Sequence, residues 1–138
     1  MPYTLKVADG STPGAVLRLD DIAKQLRHQI PGDEPRLAKR PLATQAGVTE
    51  VLVVVRGHEN PHTHPESDLI FSVLEGGGYL QLPHVRVDAP AGTTVVVPKG
   101  VCHAYHNTAP SDSVLLATFS PALPDPGECA EPEHRHAA

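Results

Sequence analysis

The sequence predicts an all-β fold, a small antiparallel barrel or sandwich, with one short N-terminal helix. Turn signals recur about every eight to twelve residues, which favours many short strands over alternating strands and helices. Gly and Pro number 11 and 15 among 138 residues, and this suits short strands joined by turns better than a helical bundle. Only one stretch, near the N-terminus, has a convincing helical period.

Composition indicates a single domain and excludes several classes of protein. The core must be aliphatic, because the chain has no Trp and aromatic residues make up 4%. A net charge of -5 argues against a nucleic-acid or membrane surface. The N-terminus lacks a signal-peptide pattern and no run is long enough to span a bilayer, so a cytoplasmic location is expected. Two cysteines, Cys102 and Cys129, do not make a disulfide framework.

The N-terminal segment is predicted to be an extended arm followed by a helix. Residues 1–19 form the arm, in which Val16–Leu19 are a candidate edge strand. The helix should run from Asp21 to about Ile30, with Asp20 or Asp21 as its N-cap. Its apolar side is expected to cover a sheet face or a barrel end, because apolar side chains recur every four residues at Ile22, Leu26 and Ile30.

A polar loop is predicted at residues 31–40, and it carries three basic side chains, Arg36, Lys39 and Arg40. Two interpretations are open: the trio contacts an anionic ligand, or it belongs to a solvated loop. Asp33 and Glu34 dilute the positive charge and favour the solvated loop.

The barrel is predicted at residues 41–120, after the packed N-terminal segment 1–40 and before a C-terminal tail, 121–138, that is rich in Pro, Glu and Ala. Val51–Val55 form a continuous apolar run, as expected of a strand covered on both faces. The predicted strands are Pro41–Gln45, Glu50–Arg56, Leu69–Leu74, Tyr79–Leu82, Val85–Val87, Val95–Val97, Cys102–Asn107 and Val114–Ser120.

Nine histidines are unusual for this length, and two of them, His62 and His64, are spaced to share one metal ion. Side chains two residues apart in an extended chain point to the same side, so both imidazoles can converge on one ion. Two histidines separated by one residue are by themselves weak evidence for a metal site. The tail has the same spacing at His134 and His136, where solvated side chains are expected.

A second stretch, residues 92–107, has a more specific pattern. A glycine permits a tight turn, a Pro-Lys-Gly turn follows, and the next strand presents a histidine and an asparagine that can tie down a neighbouring loop. The stretch resembles the second motif of the cupin superfamily, with each motif position matched by Gly92, Pro98, Gly100, His103 and Asn107. This resemblance implies a small jelly-roll β-barrel.

The first cupin motif is matched only in part. His62-Thr63-His64 fits, but Gly57 precedes it by four intervening residues where the family has five. Leu69 stands where the family has a glutamate ligand. The resemblance implies that His62, His64 and His103 bind a divalent transition metal. Imidazole ligands do not select among Fe, Mn, Ni, Zn and Cu, so the identity of the metal stays open.

Three outcomes are open for the missing glutamate. A bulge can turn Asp68 inward, because a one-residue shift exchanges the faces of a strand. Water can fill the remaining positions of a three-histidine site, as in some family dioxygenases that the chain resembles. The histidines can also line a polar pocket without a metal. Regular alternation places Leu69, Phe71 and Val73 on one face and Asp68 on the other, which argues against the first outcome.

Several other residues have two interpretations. Tyr105 should face the same pocket, either as a hydrogen-bond donor or general acid, or as a core residue with a satisfied hydroxyl. Glu66 either bends back as a ligand or base, or is an exposed carboxylate. Cys102 should point away from the pocket as a buried structural thiol. The surface is the expected location of His58, His84 and His106.

The preferred function is a metal-dependent dioxygenase-type oxidoreductase that acts on a small organic substrate. Three neutral ligands leave the ion its full charge and open positions for a chelating oxygen ligand. A zinc or manganese lyase, isomerase or cyclase, with Tyr105 as acid or base, is the second hypothesis. A non-catalytic small-molecule or metal-binding module is the third. Family resemblance also implies a homodimer formed through the N-terminal arm or an edge strand.

Overall fold

A computed structural model of the chain describes residues 3–5, 14–30, 37–45 and 47–124. Within these ranges the chain forms ten strands and one helix, so the predicted all-β class with a short N-terminal helix is confirmed. Six residues discussed above lie outside the described residues, namely Asp33, Glu34, Arg36, Cys129, His134 and His136.

The N-terminal arm contains a two-stranded antiparallel hairpin, β1 (Tyr3–Leu5) and β2 (Gly14–Val16), and the helix α1 (Leu19–Arg27) follows it. The edge strand predicted at Val16–Leu19 therefore lies earlier, and Leu19 is already the first residue of the helix. In the part of the chain that the structure describes, no helix has the length and apolar character needed to cross a membrane.

The helix α1 begins and ends earlier than its apolar spacing predicts. The predicted N-cap at Asp20 or Asp21 is wrong, because the capping position is Arg18, whose side chain makes no capping hydrogen bond. The two aspartates lie in the first turn, where negative charge interacts favourably with the positive end of the helix dipole. The helix ends at Arg27, and Ile30 is buried just beyond it.

The remaining strands form two antiparallel sheets. They are β3 (Leu37–Gln45), β4 (Val48–Val55), β5 (Asp68–Glu75), β6 (Gly77–Gln81), β7 (Arg86–Pro90), β8 (Thr94–Val97), β9 (Ala104–Asn107) and β10 (Ser113–Ser120). The larger sheet has the order β3-β4-β10-β5-β8, and the smaller has the order β7-β6-β9. Their inner faces pack together around one apolar core, to which Leu80 and Ala89 contribute from the smaller sheet.

The central strand β4 is buried on both faces, as its apolar run predicts. Val51, Val53 and Val55 point into the core between the sheets. Leu52 and Val54 point to the outer face of the larger sheet, where the apolar side of α1 covers them. The expectation that the helix covers a sheet face is therefore confirmed.

The edge strand β3 begins at Leu37 rather than at the predicted Pro41, so part of the predicted polar loop is a strand. Lys39 is paired with Val53 and Arg40 with Leu52. These two basic side chains consequently face opposite sides of the sheet. Charged side chains are common on edge strands, where they discourage pairing with further strands. Here they interrupt the alternation of apolar and polar residues by which a strand is recognised in the sequence.

Two glycines occupy the turns that the sequence predicts for them. Gly92 and Gly100 have φ angles of 92° and 81°, in the left-handed region that favours glycine. The Gly100 amide also donates a hydrogen bond to the His64 carbonyl oxygen at 3.0 Å. The turn at Pro98–Gly100 is thus tied directly to the first histidine segment.

The contact between α1 and the sheet can be tested by truncating Leu52, which is 0% exposed beneath the helix. Leu52→Ala is expected to lower the free energy of unfolding by about 2–5 kcal/mol, because the deleted methyl groups leave a cavity. Val85→Ala is the control, since Val85 is 53% exposed, and it should change stability by less than about 0.5 kcal/mol. Equal effects of the two variants in urea denaturation would contradict the packing described for α1.

Candidate metal centre

A backbone bridge joins the two segments that carry the histidines. His62 lies between β4 and β5, and His103 directly precedes β9. The His62 amide donates to the His103 carbonyl oxygen at 3.1 Å, and the His103 amide donates to the His62 carbonyl oxygen at 2.9 Å. Because the two residues lie opposite each other in an antiparallel bridge, their side chains point to the same face.

The chain that leads to His62 runs along β9 and extends the smaller sheet. The Asn107 amide donates to the Gly57 carbonyl oxygen at 2.8 Å, and the Glu59 amide donates to the Tyr105 carbonyl oxygen at 2.9 Å. The Glu59 carboxylate in turn accepts the Tyr105 amide at 2.9 Å. This ladder of hydrogen bonds holds the residues that lead to His62 in place.

The side chain of Asn107 ties the end of β9 to two loops. Its amide group donates to the carbonyl oxygens of Arg56 at 2.9 Å and of Ser111 at 2.7 Å. Its carbonyl oxygen accepts hydrogen bonds from the Ala109 amide at 3.1 Å and the Ser113 hydroxyl at 2.6 Å. The predicted role of Asn107 in fastening a neighbouring loop is confirmed.

His62, His64 and His103 form one buried group. Their exposed fractions are 9%, 4% and 3%. One ring nitrogen of each histidine lies within 4.8 Å of those of the other two. The ring centroids of His62 and His103 are 4.4 Å apart, and those of His64 and His103 are 5.2 Å apart. The structure therefore brings together the three histidines that the sequence singles out, in a group that can hold a metal ion.

Hydrogen bonds to the backbone orient two of the imidazoles for metal binding. His62 Nδ1 lies 2.7 Å from the Asn60 carbonyl oxygen, and His103 Nδ1 lies 3.0 Å from the Val101 carbonyl oxygen. A carbonyl oxygen only accepts, so Nδ1 carries the proton in both rings and Nε2 keeps its lone pair. This arrangement is typical of histidines that bind metals through Nε2.

The environment favours the neutral form of the imidazoles. Burial lowers the pKa of His64 to about 3, and the neighbouring charges of His62, His103 and Lys39 add to the effect. Burial, together with His62, also lowers the pKa of His103 to about 4, although the bond to the Val101 carbonyl opposes the shift. Neutral imidazole is the form that binds a metal, so at neutral pH these two side chains are ready to act as ligands.

The three histidines face a cavity of about 220 Å³ between the two sheets. Its wall is mainly apolar and includes Val51, Val53, Phe71, Leu115 and Phe119. Among the described residues, the other polar ones on the wall are Lys39, Glu59, Asn60 and Tyr105. A small organic molecule in this cavity would contact the histidines on one side and aliphatic or aromatic surface on the other.

Asp68 does not join the histidines, and the expectation that it supplies a ligand is corrected. β5 pairs with β10 in unbroken register from Asp68 to Val73, without the bulge that would turn Asp68 inward. Alternation therefore buries Leu69 and exposes Asp68. The Asp68 carboxylate accepts the Lys99 amide at 2.9 Å and stabilises the turn before β9.

Glu66 and Cys102 also lie apart from the histidine group. Glu66 is exposed, which agrees with its interpretation as a loop carboxylate. Cys102 is a free thiol with 6% exposure, and burial raises its pKa. A buried thiol with a raised pKa is unreactive, as the structural interpretation of Cys102 requires.

Tyr105 lines the cavity and is fully buried. Its hydroxyl donates to the Ser113 hydroxyl oxygen at 2.9 Å. Burial raises the pKa of Tyr105, whereas the bond to Ser113 opposes the shift and the charge of Glu59 adds to it. Of the two interpretations, the core residue with a satisfied hydroxyl describes this geometry. A role as general acid would require the hydroxyl to leave Ser113.

Sequence patterns single out Lys39 only as one of three basic loop residues, and they do not place Lys39 or Glu59 on the cavity wall. Glu59 falls in a predicted turn, and its position is set by the ladder along β9, which a motif does not reveal. Lys39 falls in the predicted polar loop. The spacing of Leu37 and Lys39, combined with their pairing opposite Val55 and Val53, is the signal that places Lys39 on the inner face.

The other histidines discussed above lie outside the group. His106 is half-buried and stacks on Tyr79 with ring centroids 4.6 Å apart, and His58 stacks on His106 at 5.1 Å. The Arg86 guanidinium completes this row at 3.8 Å from the Tyr79 centroid. His84 is exposed in the turn after β6.

Comparison with known proteins identifies relatives of the whole fold. Residues 49–119 match the family profile described as "Cupin domain". An uncharacterised protein of Aquifex aeolicus (strain VF5) is 43% identical over 111 residues, which is 80% of this chain and 88% of the relative.

Two solved structures have a similar fold. KdgF from Halomonas sp. has 26% sequence identity and a TM-score of 0.58, over 68% of this chain and 88% of KdgF. An uncharacterised conserved protein with a double-stranded β-helix domain from Klebsiella pneumoniae has 15% identity and a TM-score of 0.65, over 85% of this chain and 97% of that protein. At 15% identity the second likeness concerns the fold alone.

The lowered pKa values of His64 and His103 make the stability of the metal-free protein depend on pH. In the unfolded chain both side chains gain a proton as the pH falls below about 6.5. In the folded protein His103 resists protonation down to about pH 4 and His64 down to about pH 3. Stability is thus fully present above pH 6.5 and decreases on acidification, by up to about 1.4 kcal/mol per pH unit for each histidine.

Denaturation of the chelator-treated protein at several pH values measures this slope. His103→Gln should make the slope shallower between about pH 6.5 and 4, because one of the two resisting groups is gone. A slope that is the same in both proteins would contradict the buried, neutral state of His103.

Proposed function

This chain belongs to the cupin superfamily, and from that membership we propose that it is a metal-dependent enzyme, a dioxygenase-type oxidoreductase that acts on a small organic substrate. The observation that carries the proposal is the buried group of three histidines, in which the lowered pKa values of His64 and His103 keep those two imidazoles neutral. Within the described residues this group contains no carboxylate, so its ligands would leave the charge of a divalent ion uncompensated. An uncompensated ion attracts anionic or chelating oxygen ligands.

A divalent transition metal at this site would supply a Lewis acid and, where the ion is redox-active, electrons for reaction with O2. The chain itself contributes orientation and exclusion of water. The bridge between His62 and His103 and the bonds of their Nδ1 atoms hold the imidazoles in place. The apolar wall excludes water around the bound substrate and strengthens polar interactions there.

A lyase or isomerase is a second candidate, and the Glu59 carboxylate on the cavity wall favours it. A carboxylate beside a Lewis acid can remove a proton from carbon next to a polarised carbonyl. Turnover under nitrogen that is lost in Glu59→Gln would favour this candidate. Tyr105→Phe tests the phenol separately, and full activity of that variant would exclude Tyr105 as the acid or base.

The metal centre is tested by measuring bound metal after separate incubation with Fe²⁺, Mn²⁺, Ni²⁺, Zn²⁺ and Cu²⁺. The wild-type protein should bind about one ion per chain, and His103→Ala should weaken binding at least about tenfold because a ligand is lost. His106→Ala is the matched control, since His106 lies on the same strand but stacks on Tyr79 outside the group. Bound metal should also raise the melting temperature of the wild type and the control, because only the folded state has the site.

Oxygen consumption completes this test. The Fe²⁺ or Mn²⁺ form should consume O2 with small diketones, catechols or hydroxy acids, and His103→Ala should not. A wild-type protein that takes up none of the five metals would contradict the proposal. A protein that binds metal but shows no turnover would instead favour a non-catalytic binding module.

We also propose that the protein is a homodimer formed through the N-terminal arm or an edge strand. Among the described residues the β1–β2 hairpin is a separate two-stranded sheet, and such a hairpin is marginally stable alone. Ile70 and Val96 lie side by side on the outer face at the β8 edge, with 44% and 63% exposure. These features favour contact with a second copy.

Light scattering measures the predicted dimer. Val96→Lys should shift the protein towards monomer if the β8 edge is used, because a charge would be buried in the interface. Val85→Lys, which is also exposed but lies in a turn, is the control. A monomeric mass of the wild type at all concentrations would contradict the proposal.

A further inference from the structure

A basic residue reaches the cavity from the edge of the larger sheet. Lys39 lines the cavity together with Leu37, two residues earlier on β3. The register of β3 with β4 places Lys39 beside Val53, which also lines the cavity. Lys39 is exposed, and its positive charge contributes to the lowered pKa of His64 across the cavity wall.

The charges on the cavity wall favour an anionic ligand once a metal is bound. Apart from the histidines, the charged residues that line the cavity within the described part of the chain are Lys39 and Glu59, which carry opposite charges. Imidazoles that bind a metal are neutral, so the histidines do not change this sum. A divalent ion would therefore add positive charge that these described residues do not compensate, and an anionic oxygen chelator is the ligand that compensates it best.

The volume of the cavity limits the size of that ligand. The cavity has a volume of about 220 Å³. Pockets that take drug-sized ligands begin at about 300 Å³. A small acid with a few carbon atoms fits this space, whereas a sugar nucleotide does not.

From these observations, and on the basis of the metal centre proposed above, we propose that Lys39 recognises the carboxylate of the substrate, which is a small α-hydroxy or α-keto acid. The oxygen next to the carboxylate and one carboxylate oxygen would be ligands of a metal ion held by the histidines. The remaining carboxylate oxygen accepts a charge-assisted hydrogen bond from Lys39. Neutral chelators such as diketones lack the group that Lys39 pairs with, and they bind less tightly.

The experiment compares lactate with lactamide, its neutral analogue, on the Zn²⁺-loaded protein, in which no redox turnover occurs. Isothermal titration calorimetry gives both dissociation constants, and mass spectrometry gives the metal content of the same samples. The wild type should bind lactate about tenfold more tightly than lactamide, because a hydrogen bond between charged groups adds to metal chelation. Lys39→Gln should retain its zinc and lose about five- to tenfold of the preference.

Two further variants separate recognition from a general change of charge. Lys39→Arg keeps the positive charge at this position and should retain most of the preference. Arg40→Gln removes an equal charge from the neighbouring residue, which is paired with Leu52 and faces the opposite side of the sheet. It should behave as the wild type does.

The outcomes distinguish this inference from the proposed function. If the wild type binds zinc but does not prefer lactate, or if Lys39→Gln keeps the full preference, the inference is overturned and the metal centre stands. If the wild type binds no zinc, the metal centre is overturned and the inference fails with it. Loss of preference in Arg40→Gln as well as in Lys39→Gln would indicate that the preference depends on the total charge of the protein and not on contact with Lys39. That result would also overturn the role of Lys39.

Discussion

The reciprocal pair of backbone hydrogen bonds between His62 and His103 is the constraint on which the site depends. These residues are 41 positions apart in sequence (103 minus 62), and the bridge fixes their side chains on one face without help from the side chains themselves. His64 joins them because the segment is extended, so positions 62 and 64 share a direction. The Gly100 turn fastens this segment at its far end through the His64 carbonyl oxygen.

The two faces of the larger sheet have different roles: the outer face contributes to stability, and the inner face borders the site. The outer face of β4 carries Leu52 and Val54 beneath α1, and its inner face carries valines that border the cavity. The helix therefore stabilises the sheet from the side that no ligand reaches. A mainly apolar inner face also explains why His64 and His103 are neutral, because burial in such surroundings disfavours the charged imidazole.

Much of the fold and the three histidines could be predicted, because motif spacing and strand alternation are local properties of the sequence. Alternation also argued correctly against Asp68, which the structure exposes beside buried Leu69. Lys39 and Glu59 could not be assigned, since their positions depend on the register of β3 with β4 and on a ladder with β9, both set by distant residues. The N-cap was mispredicted because α1 begins at Leu19. The capping position is therefore Arg18, whose side chain makes no capping hydrogen bond.

The burial of Tyr105 against the cavity gives the protein an optical property of its own. The chain has three tyrosines and no Trp, so its intrinsic fluorescence arises from phenol rings alone. One of these rings lies on the wall that the three histidines share. Paramagnetic or strongly absorbing ions quench nearby phenol emission, whereas zinc does not. Occupancy of the proposed centre by a quenching ion would therefore lower the emission of the unlabelled protein, with Tyr105 as the phenol beside the histidines.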